Sequence, residues 1–311
     1  MNESHREDLE LQISRLDALS SSQVILQPLL QLLRQPSEEV RIDKVVELVS
    51  RDSSIAAQCL RVSNSPLFAR QRVETIRSAV MTLGIERMRS LLFSICMHHT
   101  VPQDKWVLDP DSFWRHSLGC ALVSQTIASK VGYPEPEKAY LCGLIHDIGV
   151  LVNSILYTAK HRDCLAYAMA NRCPLHVAEK RILGFSHEES GAVLCRRWSF
   201  SDQLVQAVRC HHEADLLPSA GILAWLVHLS DLLCRVRNLG YGYEEILAVE
   251  LAADSAWKHL AGVYPALAQI DLVRFTLDLD GAMDDIAALV DSVFGRPVPR
   301  DASEAARTSP G

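Results

Sequence analysis

A chain of 311 residues with 48% apolar and 22% charged residues has the composition of a soluble globular protein, long enough for one large domain or two ordinary ones. A formal net charge of -7 and the lack of any Lys/Arg-rich run argue against direct nucleic-acid binding through a basic surface. Nine cysteines, an odd number with no C-x-x-C pair, lie mostly in apolar helical pattern and read as reduced core residues. The polar start from Met1 to Glu10 holds no apolar signal core, and no apolar run reads as a membrane span, so the expectation is a cytoplasmic protein without membrane association.

In chain order, residues 1–19 form a lead-in with Leu9, Ile13 and Leu16 at helical spacing. Between Leu26 and Ser50 the apolar positions fit two helices parted by Gln35-Pro36-Ser37, with Ser37 as N-cap of the second. Asp52 reads as the cap of a helix from Ser53 to Val62, which stops at Asn64-Ser65-Pro66. A further helix from Thr75 ends at Gly84, and Ile85 to His98 starts again. His98 and His99 at its end read as helix-dipole partners or surface residues. Residues 20–105 contain no cluster of catalytic types, and the turn-rich stretch Thr100–Pro110 is the best internal boundary.

Asp111 is a good N-cap for a helix that carries His116 and runs to Gly132. Beyond Tyr133-Pro134-Glu135-Pro136, one long apolar helix from Glu137 to about Tyr157 contains Gly143-Leu144-Ile145-His146-Asp147-Ile148-Gly149. An adjacent His and Asp in such a segment are expensive to bury without a partner. A metal ion would serve, and so would hydrogen bonds from neighbouring helices. Gly143 and Gly149 weaken the helix but allow another backbone or an ion-binding side chain to approach closely. A helix from Leu175 to Leu183 follows, and Ser186-His187-Glu188-Glu189 then reads as a capping box, with His187 in the first helical turn. Ser201 or Asp202 caps a helix ending at His211-His212-Glu213, and Pro218 to Val236 carries His228 and Asp231. Two or three helices without a His cluster fill Tyr241 to Phe294, and Gly295 onward reads as disordered.

With no strand pattern, internal repeat or Gly-rich phosphate loop, the fold class is all-α. The chain divides into the lead-in 1–19, an N-terminal helical part 20–105, a helical bundle 106–240, C-terminal helices 241–294 and a tail 295–311. On separate helices stand His116, His146 with Asp147, His187, His211 with His212, and Asp231. Metal sites in helical bundles are assembled in this way, one or two ligands from each facing helix. Imidazoles and carboxylates together suit one or two divalent transition metals such as Fe, Mn, Zn or Ni. Two ions bridged by Asp147 could activate water for attack on phosphorus. Asp147 is the surest ligand and His212 the weakest. His187 in a first helical turn reads equally as exposed, His161 and His176 read as surface residues, and His228 as packing with a contact to Asp231.

The order H…HD…H…HH…D resembles the HD superfamily of metal-dependent phosphohydrolases. Several segments resemble its HDOD group, the HD-related output domains of bacterial signalling proteins, over residues 20–235. They are Arg51-Asp52-Ser53-Ser54-Ile55-Ala56, Leu60-Arg61-Val62-Ser63-Asn64-Ser65-Pro66, Ile76 to Gly84, Phe113-Trp114-Arg115-His116-Ser117, Gly143 to Gly149 and Gly184 to Gly191. The resemblance implies an HD-like bundle with an N-terminal HDOD-specific helical subdomain and extra C-terminal helices. It implies one ion at His116, His146, Asp147 and Asp231, and a second at Asp147, His187 and His211 with His212 adjacent.

Two departures separate the chain from the related cyclic-di-GMP phosphodiesterases of the HD-GYP group. Val150 stands where they have a Lys, and Glu213 to Pro218 where they have Gly-Tyr-Pro. The function implied is therefore a regulatory signalling module, working through protein contacts with partners in trans, with a metal or a nucleotide ligand setting its conformation. The alternative is a metal-dependent phosphohydrolase acting on a nucleotide or phosphodiester. No residue is assigned a catalytic role.

Overall fold

The computed structural model describes residues 9–13, 28–32, 35, 39–65, 68, 71–212, 220–243, 253–264 and 272–294. Among them the chain is built of α-helices joined by turns, with no strand, as the sequence leads one to expect.

Helices α1 (Ile42–Val49), α2 (Ser53–Ser63), α3 (Ile76–Leu83) and α4 (Ile85–Thr100) form the N-terminal part. Asp52 caps α2 by accepting the Ile55 amide at 3.1 Å, and Thr75 caps α3 through the Ser78 amide at 3.1 Å. Asn64 closes the loop between these helices. Its side-chain amide exchanges two hydrogen bonds with the Val73 backbone, at 2.7 and 2.8 Å, which gives Asn64 a structural role. The cap expected at Ser37 lies outside the described residues.

The second group comprises α5 (Pro110–Val131), α6 (Pro136–Ile145), α7 (Ile148–Leu156), α8 (Thr158–Asn171), α9 (Leu175–Ile182), α10 (His187–Arg197), α11 (Asp202–Cys210) and α12 (Ile222–Val236). Two more helices follow, α13 (Ser255–Val263) and α14 (Leu272–Phe294). The cap of α5 is Asp109, not Asp111, and accepts the Ser112 amide at 2.9 Å. Pro110 explains the shift: with no amide hydrogen to lose, it suits the first helical position. Ser186 and Glu189 form the expected capping box, the Ser186 amide donating to Glu189 at 3.0 Å.

The main departure concerns the segment Pro136–Leu156. By length and composition it could cross a membrane, contrary to the sequence reading, but most of it is buried. Nor is it one helix. Asp147 leaves the helical region, with φ -98° and ψ 16°, and divides it into α6 and α7. In an unbroken helix successive side chains diverge by about 100°; the break lets His146 and Asp147 face a common point. The two flanking glycines set the depth of packing, as their presence in a helix suggested. A Cβ on Gly143 would lie 2.6 Å from the Cys120 carbonyl oxygen, so α6 meets α5 backbone to backbone. A Cβ on Gly149 would lie 1.9 Å from the His187 carbonyl oxygen, which fixes α7 against the start of α10.

One apolar cluster runs through both groups of helices. Helix α4 packs on α5 and α6, and α14 crosses α5 and α2. Ion pairs of Arg115 with Asp291, and of Arg237 with Asp280 and Asp284, hold α14 in place. All nine cysteines are free, and all except the half-buried Cys173 are buried. At the start of α13, Asp254 Oδ1 accepts the Ala256 and Trp257 amides while Oδ2 lies 3.3 Å from His228 Nε2 on α12. Burial would lower the His228 pKa, but the Asp254 carboxylate outweighs it and the net shift is upward. Burial would raise Asp254, but His228 outweighs it and the net shift is downward.

Two stability measurements check this packing. Gly149→Ala should destabilise the protein by about 3 kcal/mol or more, because backbone atoms cannot yield as side chains do. Gly262→Ala, where nothing lies within 4 Å, should gain up to about 1 kcal/mol; similar values for both in urea denaturation would contradict the close approach. The second concerns pH. The raised His228 contributes fully below about pH 6.5 and loses its contribution as pH rises through the folded value. The lowered Asp254 contributes above about pH 3.9 and loses its share as pH falls. Because Asn keeps the capping oxygen, Asp254→Asn should cost about 1.5 kcal/mol near pH 6 and distinctly less near pH 9. An equal cost at both would show that the ion pair does not contribute.

Candidate metal centre

Five helical elements deliver the polar residues to one buried point. Helix α5 brings His116, the α6–α7 break brings His146 and Asp147, and the first turn of α10 brings His187. The end of α11 brings His211 and His212, and α12 brings Asp231. His116, His146, Asp147, His187, His211 and Asp231 are only 0 to 2% exposed, and the His212 side chain is 9% exposed.

Asp147 is the hub. Its Oδ2 lies 2.9 Å from His146 Nε2 and 3.4 Å from His116 Nε2. Its Oδ1 lies 3.1 Å from His187 Nε2 and 3.3 Å from His211 Nε2. Asp231 Oδ1 is 3.2 Å from His116 Nε2, and its Oδ2 is 3.5 Å from His212 Nδ1 and 3.0 Å from an Arg235 guanidinium nitrogen. The potential ligand atoms fall into two groups, each within 4.8 Å: His116, Cys120, His146 and Asp231, and Asp147, His187, His211 and His212.

The far side of each ring fixes its tautomer. Nδ1 of His116 donates to the Leu239 carbonyl at 2.7 Å, that of His146 to Gly143 at 2.7 Å, and that of His211 to Val208 at 2.8 Å. Nδ1 of His187 donates to the Glu179 carboxylate at 2.6 Å. Carbonyl and carboxylate oxygens only accept, so the proton sits on Nδ1 and a neutral ring turns its Nε2 lone pair inward. There it faces the lone pairs of Asp147. Nε2 of His146, Nε2 of His211 and Oδ1 of Asp147 make no hydrogen bond. Lone pairs converging in a buried site repel unless a cation lies among them or protons are taken up, and the donor set is that of a divalent transition metal. The buried His/Asp group could therefore hold a metal.

The alternative to a metal is protons. Burial would lower the His116 pKa, but Asp147 and Asp231 outweigh it and push the ring up to about 10. Burial acts the same way on His187, and Glu179 and Asp147 raise it well above the usual range. For His146 burial wins and the pKa falls. His212 falls further, from burial and then from the neighbouring His176, His211 and His187.

Four sequence readings need correction. His187 is buried, because the Gly149 contact draws the first turn of α10 inward. His161 is no surface residue: it is fully buried, with Nε2 3.0 Å from Glu179 and Nδ1 3.0 Å from the Ser154 hydroxyl. His176 stacks on His212 at 4.0 Å between ring centroids, half-buried at the edge of the centre. His228 reaches the centre through backbone, its Nδ1 donating to the His211 carbonyl at 2.7 Å rather than touching Asp231. The side chains of His98 and His99 lie outside the described residues.

Two residues were not foreseen. Glu179 is fully buried and holds His187 from behind by its ring and by its backbone amide, at 2.6 and 2.8 Å, while Asn153 and His161 occupy its other oxygen. A signal for it existed: Leu175, Ala178, Glu179 and Ile182 have the spacing of a core stripe, where a carboxylate stands out. Tyr241 donates its hydroxyl to Asp147 Oδ2 and lies against the His116 ring at 4.9 Å. It comes from the turn after α12, and no periodicity marks it.

The HDOD domain model matches residues 19–214 of the chain. Among solved structures, an HDOD domain protein of unknown function from Geobacter sulfurreducens has a TM-score of 0.71 and 26% identity, covering 86% of this chain and 91% of that one. A Shewanella amazonensis protein, provisionally named a phosphohydrolase, has a TM-score of 0.67 at 23% identity, covering 92% and 98%, and carries the likeness of fold. An uncharacterized protein of Treponema pallidum (strain Nichols) is 24% identical over 186 residues, 58% of this chain; the chain spans only about a third of that relative, 35% of its length. The family model covers more than half of the chain and the fold agrees with it: the chain belongs to the HDOD family.

Proposed function

We propose that this protein is a regulatory module of bacterial signal transduction, in which one or two divalent transition metals (Fe, Mn, Zn or Ni) hold a buried His/Asp centre together. His116, His146, Asp147 and Asp231 would hold one ion, and Asp147, His187 and His211, with His212 beside them, the other. The observation that carries this reading is closure. A catalytic metal keeps an open coordination position for water or substrate, whereas here His116, His146, Asp147, His187, His211 and Asp231 are 0 to 2% exposed, the His212 side chain is 9% exposed, and Tyr241 bonds to Asp147. Val150 is buried and apolar where a phosphate-binding Lys would stand in the HD-GYP group.

When bound, the metal supplies positive charge that neutralises the converging carboxylates. The chain's own residues do the rest. Glu179 and the backbone carbonyls orient the imidazoles, Tyr241 seals Asp147, and the glycine contacts transmit the fit of the centre to α5, α6 and α10. Helix α4 of the N-terminal part, residues 20–105, is tied to the same helices by Arg87, which donates to Gln125 at 3.0 Å and pairs with Glu137 at 3.5 Å. The outward faces of that part are where a signalling partner in trans would dock, and a nucleotide is the small-ligand class most in keeping with the family. The alternative, a metal-dependent phosphohydrolase, is favoured by the bridging disposition of Asp147, whose two oxygens face different ligand groups.

Chelation and mutation test the metal. An ion present at about a thousand times its Kd stabilises the native state by about 4 kcal/mol, so chelator should lower the melting temperature of the wild type by several degrees. Asp147→Ala should start lower and ignore chelator; a wild type indifferent to chelator would contradict the reading. The regulatory role predicts no turnover of nucleotides or phosphodiesters by the metal-loaded protein. Turnover abolished by Asp147→Ala would establish the hydrolase instead. With the His116 pKa at about 10, the metal-free centre carries protons at neutral pH. Metal loading should therefore release protons and tighten as pH rises, which titration calorimetry in buffers of different ionisation enthalpy measures; pH-independent affinity would count against these rings as ligands.

A further inference from the structure

The two ion positions that share Asp147 have different surroundings. Behind the ring of His187 stands Glu179, a fully buried carboxylate that accepts from Nδ1 at 2.6 Å. Asn153 and His161 hold its other oxygen, at 2.9 and 3.0 Å, so its place is fixed. The rings of His116 and His146 are backed instead by the neutral carbonyls of Leu239 and Gly143. A carboxylate behind a ring makes the inward nitrogen a stronger metal donor than a carbonyl does.

Charge opposes the His116 position. Its second carboxylate, Asp231, is paired on Oδ2 with the Arg235 guanidinium at 3.0 Å, the two side chains being 2% and 9% exposed. A guanidinium keeps its charge at any working pH, and so far from solvent it repels a neighbouring cation with little screening. Tyr241 also engages Asp147 Oδ2, the oxygen on the His116 side. Oδ1, which faces His187 and His211, makes no hydrogen bond. On that side the donor atoms already have the spacing of a metal shell. Oδ1 is 3.1 and 3.3 Å from Nε2 of His187 and His211, and Nε2 of His187 and His212 are 3.0 Å apart. The edges of a tetrahedron with bonds of about 2.0 Å are about 3.3 Å.

We infer that the two positions fill in order. The ion at Asp147, His187, His211 and His212 is resident, whereas the ion at His116, His146 and Asp231 is weaker and exchangeable. Glu179 and Arg235 are the positioning residues that set the difference. The inference rests on the metal reading above and deepens it by naming the half of the centre that responds to metal supply. Helix α5 and the end of α6 carry that half, and α4 of the N-terminal part packs on both helices.

Zinc titrated into the full-length metal-free protein, followed by nitrogen NMR of the imidazole rings, tests the order without any variant. Nε2 of His187 and His211 should shift with the first equivalent, and that of His116 and His146 only with further metal. His116 and His146 shifting first, or all four rings together, would overturn the inference, as would their silence at excess zinc. No shift at any ring would remove the metal reading itself. Calorimetry of two variants tests the cause. Glu179→Gln should weaken the first binding step by about 10- to 100-fold and leave the second unchanged. Arg235→Gln should tighten the second step by at least about tenfold and leave the first unchanged. An equal loss in both steps, or no change in either, would deny these residues the positioning role.

Discussion

Four imidazole Nε2 atoms aimed at one buried carboxylate are the constraint on which the rest of the molecule depends. Each ring is committed on its outer nitrogen to an acceptor that cannot donate, so none can turn away from Asp147 without losing a buried hydrogen bond. The inward lone pairs and the two carboxylates then create a strong demand for positive charge. Arg235 answers part of it at Asp231. Protons on His116 and His187 or a divalent cation answer the remainder, and a cation does so with the geometry that the rings already have.

The fold can be understood as the means of bringing those rings together. The elements that carry ligands to Asp147 come from distant parts of the chain, and two are brought within reach by glycines that remove a side chain from a helix crossing. Gly143 lets α6 settle on α5 and places His146 beside His116. Gly149 lets α7 settle on the start of α10 and places His187 opposite His146 on the carboxylate. The break at Asp147 completes the arrangement by freeing the hub from the direction a continuous helix would impose. A centre built on crossings this close is coupled to helix positions, and helices α5 and α6 are also those that support the N-terminal part through α4. On the proposed regulatory reading, a change of ligation would shift these helices and, through α4, the N-terminal part.

Much of this was legible in the sequence because it depends on local rules. Helix starts at Asp52 and Ser186 follow from capping chemistry, and the close approaches at Gly143 and Gly149 follow from glycines standing where a helix would not choose them. The seven His and Asp residues of the centre were visible as polar types in apolar helices, and the order of segments carried the family. What escaped depends on tertiary distance. The break at Asp147 has no Pro and is imposed by the partners of its carboxylate, so the apolar run reads as one helix. His161 has no partner within its own helix pattern, and its burial is explained only once Glu179 on α9 is beside it. Tyr241 arrives from a turn of the kind that carries no periodic signal.

The central claim, that a cation holds the rings around Asp147, is tested most directly by weighing the protein folded and unfolded. Native mass spectrometry of protein purified anaerobically without chelator, compared with the same sample denatured, should show an excess equal to one or two transition-metal ions, less the protons they displace. Equal masses for the folded and denatured chain would contradict the account and leave a proton-filled His/Asp network in its place.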